Sequence, residues 1–317
     1  MKKKTIINIL LFIFIFSTLL LIATFYDKEI SDILARPFLK NGEFYSTNIF
    51  GRIFEVIGEM PLYLFIVVAC SIVIVNVTKL NNKIIKISLI VLFLAVGIGF
   101  GFYGYNKLFK YIYKLHPEFT LYKNTLFNIL LVLLSIIQQV ISSHLLYKKG
   151  FTVAEKLLKF ALVVLFAAAC SQILIHIIKP IFARERYRSS YVFEYNNIVG
   201  IGFTKWYVIN GDAKEIATSL NVEKSYFTSF PSGHTGCAGI VYTLMFIPFY
   251  IDKLDNKKYK ALFISLPILI TGIVAFSRIV VAAHYMSDVL IGGTIAYLSA
   301  LLGYILVNKS FKIFVKK

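Results

Sequence analysis

The chain has 317 residues, of which 58% are hydrophobic and only 16% are charged. Soluble globular proteins carry roughly 25% charged residues, so the composition excludes a disordered chain and argues against a cytosolic enzyme. The formal net charge of +18 would suggest nucleic acid as the partner of a soluble protein. In a membrane protein, such a positive charge is better explained by an excess of Lys and Arg in cytoplasmic loops. We therefore expect no nucleic-acid partner.

Eight apolar runs are long enough to cross a bilayer, because about 20 residues suffice for a helix. They are residues 5–26, 53–78, 87–106, 124–147, 157–178, 232–251, 261–280 and 286–307. Lipid does not tolerate unsatisfied backbone groups, and the runs lack the alternation of a membrane β-barrel. The sequence therefore predicts an all-α, polytopic transmembrane bundle of about eight spans. No cleavage site follows the first run, so we expect it to remain as the first helix.

The distribution of charge predicts that both termini are cytoplasmic. With eight spans, the inner segments are 1–4, 79–86, 148–159, 252–260 and 308–317. They hold more than half of the basic residues, but Glu155, Asp252 and Asp255 are their only acidic ones. This asymmetry follows the positive-inside rule. One basic segment, 107–123, falls on the outer side and conflicts with it.

Two outer segments are long, and long loops outside a bundle often carry function. They are residues 27–52 and residues 179–230, the latter being the least hydrophobic stretch of the chain. We expect residues 1–106 to form N-terminal transmembrane helices. Residues 107–317 would form a core whose extracytoplasmic loop is 179–230. The sequence leaves open whether residues 187–230 cover a site as a lid.

The cysteines do not indicate a metal centre or a disulfide framework. Cys70, Cys170 and Cys237 each lie in an apolar run, and no two form a C-x-x-C pair. Because a free cysteine behaves as a small hydrophobic residue, we expect buried structural thiols and no metal site.

Three polar stretches stand at the outer ends of predicted spans: Lys179–Arg188, Ser229–Thr235 and Ser277–Asp288. The first and third supply fixed positive charge, and the planar guanidinium of Arg fits phosphate oxygens in pairs. The second contains Pro-Ser-Gly, which is typical of a helix start. The N–H groups exposed there favour anions. Together the stretches predict a phosphate-binding pocket.

Two histidines in these stretches predict chemistry on the phosphate. His284 and Asp288 are four residues apart, which places a carboxylate beside an imidazole on a helical turn. A carboxylate that holds one ring nitrogen leaves the other available as a nucleophile or base. His234, at the predicted helix start, is placed to protonate a leaving oxygen. Arg278 and His284 are six residues apart, so either the helix ends or bends between them or the Arg side chain reaches around.

The three stretches resemble the signature of the type 2 phosphatidic acid phosphatase superfamily, which is K-x6-R-P, P-S-G-H and S-R-x5-H-x3-D in that order. Lys179 and Arg186 fit the first motif, and Tyr187 stands where the family has proline. Pro231–His234 fit the second and Ser277–Asp288 the third. The superfamily includes bacterial lipid phosphatases, undecaprenyl diphosphate phosphatases, glucose-6-phosphatase and the vanadium haloperoxidases.

The resemblance covers roughly residues 160–307 and implies a six-helix phosphatase core with extra N-terminal spans. It also implies a mechanism: His284 attacks phosphorus to form a phosphohistidine, Asp288 orients it, and His234 protonates the departing oxygen. The phosphoryl oxygens would be held by Lys179, Arg186, Ser232, Gly233 and Arg278. Water would then release phosphate, and the resemblance implies no metal or other cofactor.

The expected substrate is a lipid phosphate or diphosphate, because the predicted pocket opens at headgroup depth between helices. Phosphatidate, phosphatidylglycerophosphate, undecaprenyl diphosphate and lipid A phosphates all fit. We expect an integral protein of a bacterial cytoplasmic membrane whose active site faces outward. One alternative is a lipid phosphotransferase that uses the same pocket. Another is an anion transporter, although the charges cluster at one face and transporters bind near the midplane.

Four further charged residues are given plainer interpretations. Glu55 and Glu59 are expected to pair with basic groups or to face water. Arg184 and Arg188 flank Arg186 and are expected to be solvated loop charges. The alternative for this pair is contact with a second phosphate or a headgroup.

Overall fold

The fold is described here from a computed structural model, which covers residues 3–116 and 118–315. Within that part the regular elements are all helical, with no strand, so the all-α prediction is confirmed. The α-helices are α1 (Lys3–Leu34), α2 (Ile49–Ile57), α3 (Met60–Val77), α4 (Lys83–Leu115), α5 (Thr125–Lys148), α6 (Phe151–Phe182), α7 (Tyr187–Tyr195), α8 (Ala213–Ser219), α9 (Gly233–Ala238), α10 (Lys257–Val280) and α11 (Met286–Val315). Short 3-10 helices lie between several of them.

Six helical segments of the described residues are long and apolar enough to cross a membrane, which identifies an integral membrane protein. They are Ile49–Val77, Lys83–Leu115, Thr125–Lys148, Phe151–Tyr195, Lys257–Val280 and Met286–Ser310. The first predicted run, 5–26, lies within α1. The total of eight spans and the cytoplasmic placement of the termini stay predictions. The terminal basic residues Lys2, Lys316 and Lys317 lie outside the described residues.

The predicted span at 232–251 does not form a single α-helix. After the six residues of α9, an eleven-residue 3-10 helix continues over Gly239–Phe249. A 3-10 helix rises about 2 Å per residue, against about 1.5 Å in an α-helix. The two helices together therefore measure about 30 Å, close to the thickness of the hydrocarbon core. The prediction of a continuous α-helix here was wrong, but the segment is still about as long as the hydrocarbon core is thick.

The chain forms two compact units. The first combines the segment that ends at Phe54 with Leu174–Thr235 and Val274–Thr294, and so contains all three polar stretches. One of its apolar clusters consists of Ala35, Leu39, Tyr187, Ala282 and Tyr285. Another consists of Ala183, Phe193, Ala213, Ala217 and Phe227. The predicted outer segments in this unit are thus partly helical and have packed interiors.

The second unit combines Glu55–Ile173, Gly236–Ile273 and the segment that begins at Ile295. Its helix α3 is apolar on all sides and mostly buried, as expected of a helix surrounded by other helices. In α4, the buried residues are glycines 97, 101 and 104, and they allow close approach to α3 and α5. Small residues at such spacing are a common packing surface between membrane helices.

The basic segment predicted as an outer loop at 107–123 is helical through Leu115. Its Lys107 lies 3.8 Å from Glu59, and the hydroxyls of Tyr63 and Tyr111 also donate to that carboxylate. Residues 107–115 of this segment are therefore the end of a long helix and not a loop. The expectation that Glu59 pairs with a basic group is confirmed.

Candidate active site

The turn between α10 and α11 places His284. Ala282 adopts a left-handed conformation with φ of +59°. The N–H groups of Ala283 and His284 then donate to the carbonyl oxygen of Arg278, at 3.1 and 3.2 Å. This pattern is typical of a helix C-terminus, so the chain leaves the helix between Arg278 and His284. His284 is buried at the end of the turn.

Asp288, in the first turn of α11, lies beside this histidine. Its Oδ2 is 3.6 Å from Nδ1 of His284. The same oxygen accepts the N–H of Tyr285 at 2.8 Å and the hydroxyl of Ser229 at 2.5 Å. A carboxylate that reaches back to the N–H before its helix forms half of a capping box. Helix capping and the Ser229 hydroxyl therefore fix Asp288 where it faces the imidazole.

Arg184 occupies the other side of Asp288. Its side chain is 1% exposed, and Nη1 donates to Asp288 Oδ1 at 2.6 Å. Nη2 donates to Asp27 Oδ2 at 3.0 Å, and Nε donates to the carbonyl oxygen of Thr204 at 2.8 Å. The ring of Tyr285 lies 4.3 Å from the guanidinium carbon. The interpretation of Arg184 as a solvated loop charge was wrong, because two buried carboxylates hold it inside the fold.

Arg188 is also buried and does not behave as a solvated charge. Its guanidinium stacks over the ring of Phe44 at 4.2 Å and near that of Tyr45 at 5.2 Å. Such cation–π contacts stabilise a cation that has lost part of its hydration.

Lys179 and Arg186 meet at one carbonyl group. Lys179 Nζ and Arg186 Nη2 both donate to the carbonyl oxygen of Thr228, at 2.8 and 3.2 Å. Arg186 Nη1 donates to the carbonyl of Ala283 at 3.0 Å and lies 3.5 Å from Nε2 of His284. Carbonyl oxygens orient the two cations without cancelling their charge. The second ring nitrogen of His284 therefore faces fixed positive charge.

The Pro-Ser-Gly-His segment packs against the start of α11. The N–H of Ser232 donates to the carbonyl oxygen of Asp288 at 2.9 Å. The Ser232 hydroxyl oxygen accepts the N–H of Thr235 at 3.4 Å, and so caps α9. It also accepts from the Thr235 hydroxyl at 3.0 Å. A Cβ on Gly233 would lie 3.5 Å from Cε of Lys179, which places the lysine stem over this glycine. His234 follows in α9 and is buried.

Comparison with known proteins identifies the family. Residues 160–312 match the model of the PAP2 superfamily. This match supports assignment of residues 160–312 to the type 2 phosphatidic acid phosphatase superfamily. The matched region contains all three polar stretches and begins within α6, so α1 to α5 lie outside it. No curated protein and no solved structure matches the chain significantly. The match, together with the membrane-spanning helices, supports a phosphatase-type function and a phosphoric ester hydrolase.

The electrostatics of the PAP2 site keep His284 neutral. Burial holds the pKa of His284 well below its usual range, and the positive charges of Arg186 and Lys179 lower it further. The contact with Asp288 opposes this shift in part. A neutral imidazole has a lone pair on one ring nitrogen, which a nucleophile requires.

The structure joins most of the residues predicted for the PAP2 site. Described contacts link His284, Asp288, Lys179, Arg186, Ser232 and Gly233. Arg278 is joined to His284 through its main chain, and His234 is adjacent to Gly233. Sequence reasoning missed the roles of Ser229, Arg184, Asp27 and Gly292. Ser229 and Arg184 at least lie within the polar stretches, whereas the local sequence around Asp27 and Gly292 gives no such signal.

Gly292 is a position where the PAP2 site requires the absence of a side chain. A Cβ there would lie 2.5 Å from the carbonyl oxygen of Ser232 and 3.2 Å from its nitrogen. Gly292→Ala is therefore expected to displace the Ser232 segment and to destabilise the protein by about 1–3 kcal/mol, the usual cost of overpacking. Thermal unfolding followed by the fluorescence of Trp206, the only tryptophan, measures this effect.

The matched control for Gly292→Ala is Gly272→Ala in α10, where a Cβ would meet no atom within 4 Å. Alanine favours helix over glycine, so the control should unfold at the same temperature as the wild type or a higher one. Equal melting temperatures for Gly292→Ala and the wild type would show that the contact with Ser232 is unimportant.

Proposed function

We propose that the protein hydrolyses the phosphate or diphosphate group of a membrane lipid through a phosphohistidine on His284. The observation that carries this proposal is the setting of the His284 ring. Its Nδ1 lies 3.6 Å from Asp288 and its Nε2 lies 3.5 Å from Arg186. An imidazole with a carboxylate near one ring nitrogen and a cation near the other is arranged to attack a bound phosphoryl group.

The proposed reaction has two displacements at phosphorus. In the first, the lone pair of His284 Nε2 forms a bond to phosphorus while the bond from phosphorus to the leaving oxygen breaks. His234, protonated, gives its proton to that oxygen. In the second, His234 takes a proton from water, and the resulting hydroxide oxygen displaces His284 and releases phosphate. Asp288 stabilises the positive charge that the imidazole acquires in between.

The cations of the site would bind the phosphoryl oxygens. Lys179 and Arg186 keep their charge while carbonyl groups orient them. Arg278, Ser232 and Gly233 complete the proposed set. Preorganised donors of this kind stabilise the negative charge that develops in the transition state. Histidines carry the proposed chemistry, so it needs no metal ion.

A lipid substrate is supported by the position of the site residues at helix ends. Lys179 lies in the last turn of α6, and Asp288 lies in the first turn of α11. Helix ends lie at the depth of lipid headgroups. The positive-inside asymmetry supports an outward-facing site, and the proposed location is a bacterial cytoplasmic membrane. Phosphatidate, phosphatidylglycerophosphate, undecaprenyl diphosphate and lipid A phosphates are the candidate substrates.

The test is the release of phosphate by purified protein in mixed micelles. Each candidate lipid is offered with EDTA present, and the reaction is also quenched in alkali to trap labelled phosphoenzyme, because phosphohistidine survives alkali and not acid. We expect phosphate release from at least one lipid and a phosphoenzyme on the same time scale.

Each other outcome rejects part of this proposal. A phosphorylated second lipid in place of free phosphate identifies a phosphotransferase with the same pocket. Dependence on a metal ion, seen as a complete block by EDTA, contradicts the metal-free chemistry. Folded protein that releases no phosphate from any lipid but carries anion flux in liposomes identifies a transporter.

A further inference from the structure

Asp27 is a buried carboxylate that lies outside the PAP2 match. It follows a break in helical geometry at Tyr26, in the part of α1 that continues beyond the first predicted span. Its side chain is almost fully buried. Oδ2 accepts from Arg184 Nη2 at 3.0 Å, and Oδ1 accepts the N–H of Ser287 at 2.9 Å. The hydroxyl of Ser287 also donates to this carboxylate.

These contacts connect Asp27 to the proposed nucleophile through two side chains. Arg184 bonds Asp27 with Nη2 and Asp288 with Nη1, and Asp288 faces Nδ1 of His284. Arg184 and Asp288 alone carry no net charge. When Asp27 is ionised, the three side chains carry a net charge of −1 inside the fold. When Nε2 attacks phosphorus the imidazole becomes positive, and charges interact strongly where water is excluded.

We propose that Asp27 is a positioning residue for the phosphatase reaction: it keeps the Arg184–Asp288 pair net negative, and so strengthens the nucleophile His284. This inference rests on the proposed function and extends it to α1, a helix outside the PAP2 region. The effect of Asp27 on His284 is exerted only through Arg184 and Asp288.

Asp27 also caps α11, since its Oδ1 accepts the N–H of Ser287. A purely structural role would consist of this cap and the docking of α1. The variant Asp27→Asn separates the two roles, because asparagine keeps an oxygen for the Ser287 N–H and is itself a good cap. It removes the negative charge and the oxygen that accepts from Arg184 Nη2.

The pH dependence gives the direction of the effect. The charged groups of the packed elements that face or adjoin His284 are Lys179, Arg184, Arg186, Arg278, Asp288 and Asp27. The attacking imidazole must be neutral, so activity is lost as the pH falls through the pKa of His284. Removing the charge of Asp27 leaves more positive charge near the ring. This lowers the pKa of His284 and moves the acid limb of the pH profile to lower pH.

For Asp27→Asn we expect kcat to fall about 10- to 100-fold, the scale seen when a residue that orients a catalytic ligand is removed. KM should stay within about twofold, because the phosphate-binding cations are untouched. The acid limb should move to lower pH. The variant Asp27→Glu, which keeps the charge, should restore part of kcat and return the acid limb toward the wild-type position.

The matched control is Asp32→Asn in the same helix. Asp32 accepts the hydroxyl of Tyr187 and lies 4.0 Å from Arg36, so its loss weakens the docking of α1 without touching Arg184. It should leave kcat and the acid limb near the wild type. Equal losses in Asp27→Asn and Asp32→Asn, or a lower kcat with an unmoved acid limb, would overturn the proposal.

A measurement without turnover separates this proposal from the proposed function. The chain has 5 histidines, so ¹⁵N-histidine NMR in detergent, with His284 assigned by its replacement, follows the titration of that ring directly. A lower midpoint in Asp27→Asn than in Asp32→Asn supports the electrostatic link even if no lipid is hydrolysed. An identical midpoint in the two variants rejects the link even if the protein is a phosphatase.

Discussion

Alanine in place of His284 is expected to lower kcat by at least about 10⁴-fold and to abolish the alkali-stable phosphoenzyme. The loss is large because the attacking atom itself is removed, and the residual rate then comes only from binding and electrostatic stabilisation. Phosphate release in mixed micelles and trapping of labelled phosphoenzyme measure the two effects. The Trp206 unfolding temperature shows that the variant is folded.

The matched control for His284→Ala is His144→Ala on an exposed face of α5. It should retain the wild-type kcat and the wild-type phosphoenzyme. A His284→Ala protein that still forms an alkali-stable phosphoenzyme would place the nucleophile elsewhere. His234 would then become the next residue to replace.

The second large effect is expected from Arg184→Leu, which removes the cation between two buried carboxylates. Asp27 and Asp288 would remain inside the fold without the charge that bonds both of them. Breaking a buried ion pair from one side costs about 3–5 kcal/mol. We therefore expect the unit that contains Trp206 to unfold at a markedly lower temperature, which fluorescence in detergent measures. Phosphate release should be lost with it.

Arg36→Leu is the matched control for the loss of a cation. Arg36 lies 3.0 Å from Glu194, but both side chains are about half exposed or more. An exposed pair of this kind contributes about 0–1 kcal/mol, so the unfolding temperature should change little. If Arg184→Leu and Arg36→Leu unfold alike, the buried network does not stabilise the fold as its contacts indicate.

The sequence predicted the fold class because a membrane helix can be recognised from a single local stretch of sequence. A run of about 20 apolar residues with few charges must form a helix in lipid, because its backbone groups then bond one another. Six such helices are present among the described residues. Helix type was less predictable. The apolar run at 232–251 has no marker that distinguishes an α-helix from the 3-10 helix over Gly239–Phe249.

The candidate site was predictable where its residues are close in the chain. His284 and Asp288 are a helical turn apart, and Ser232 to His234 are consecutive, so the sequence alone presents the proposed nucleophile, its carboxylate and the proposed acid. The six-residue spacing of Arg278 and His284 left open whether the helix ends between them. The structure shows that it does, at the turn through Ala282.

The sequence by itself determined an all-helical membrane protein and the residues that carry the proposed phosphoryl chemistry. Only the tertiary structure decided which charges are buried and what holds them. In the sequence, Arg184 looks like any other charged residue of its polar stretch, and its partner Asp27 lies 157 residues away. The physical reason is that a buried charge needs compensating partners, and those of Arg184 are carboxylates distant in the sequence. Those partners are supplied by folding and leave no mark in the local sequence.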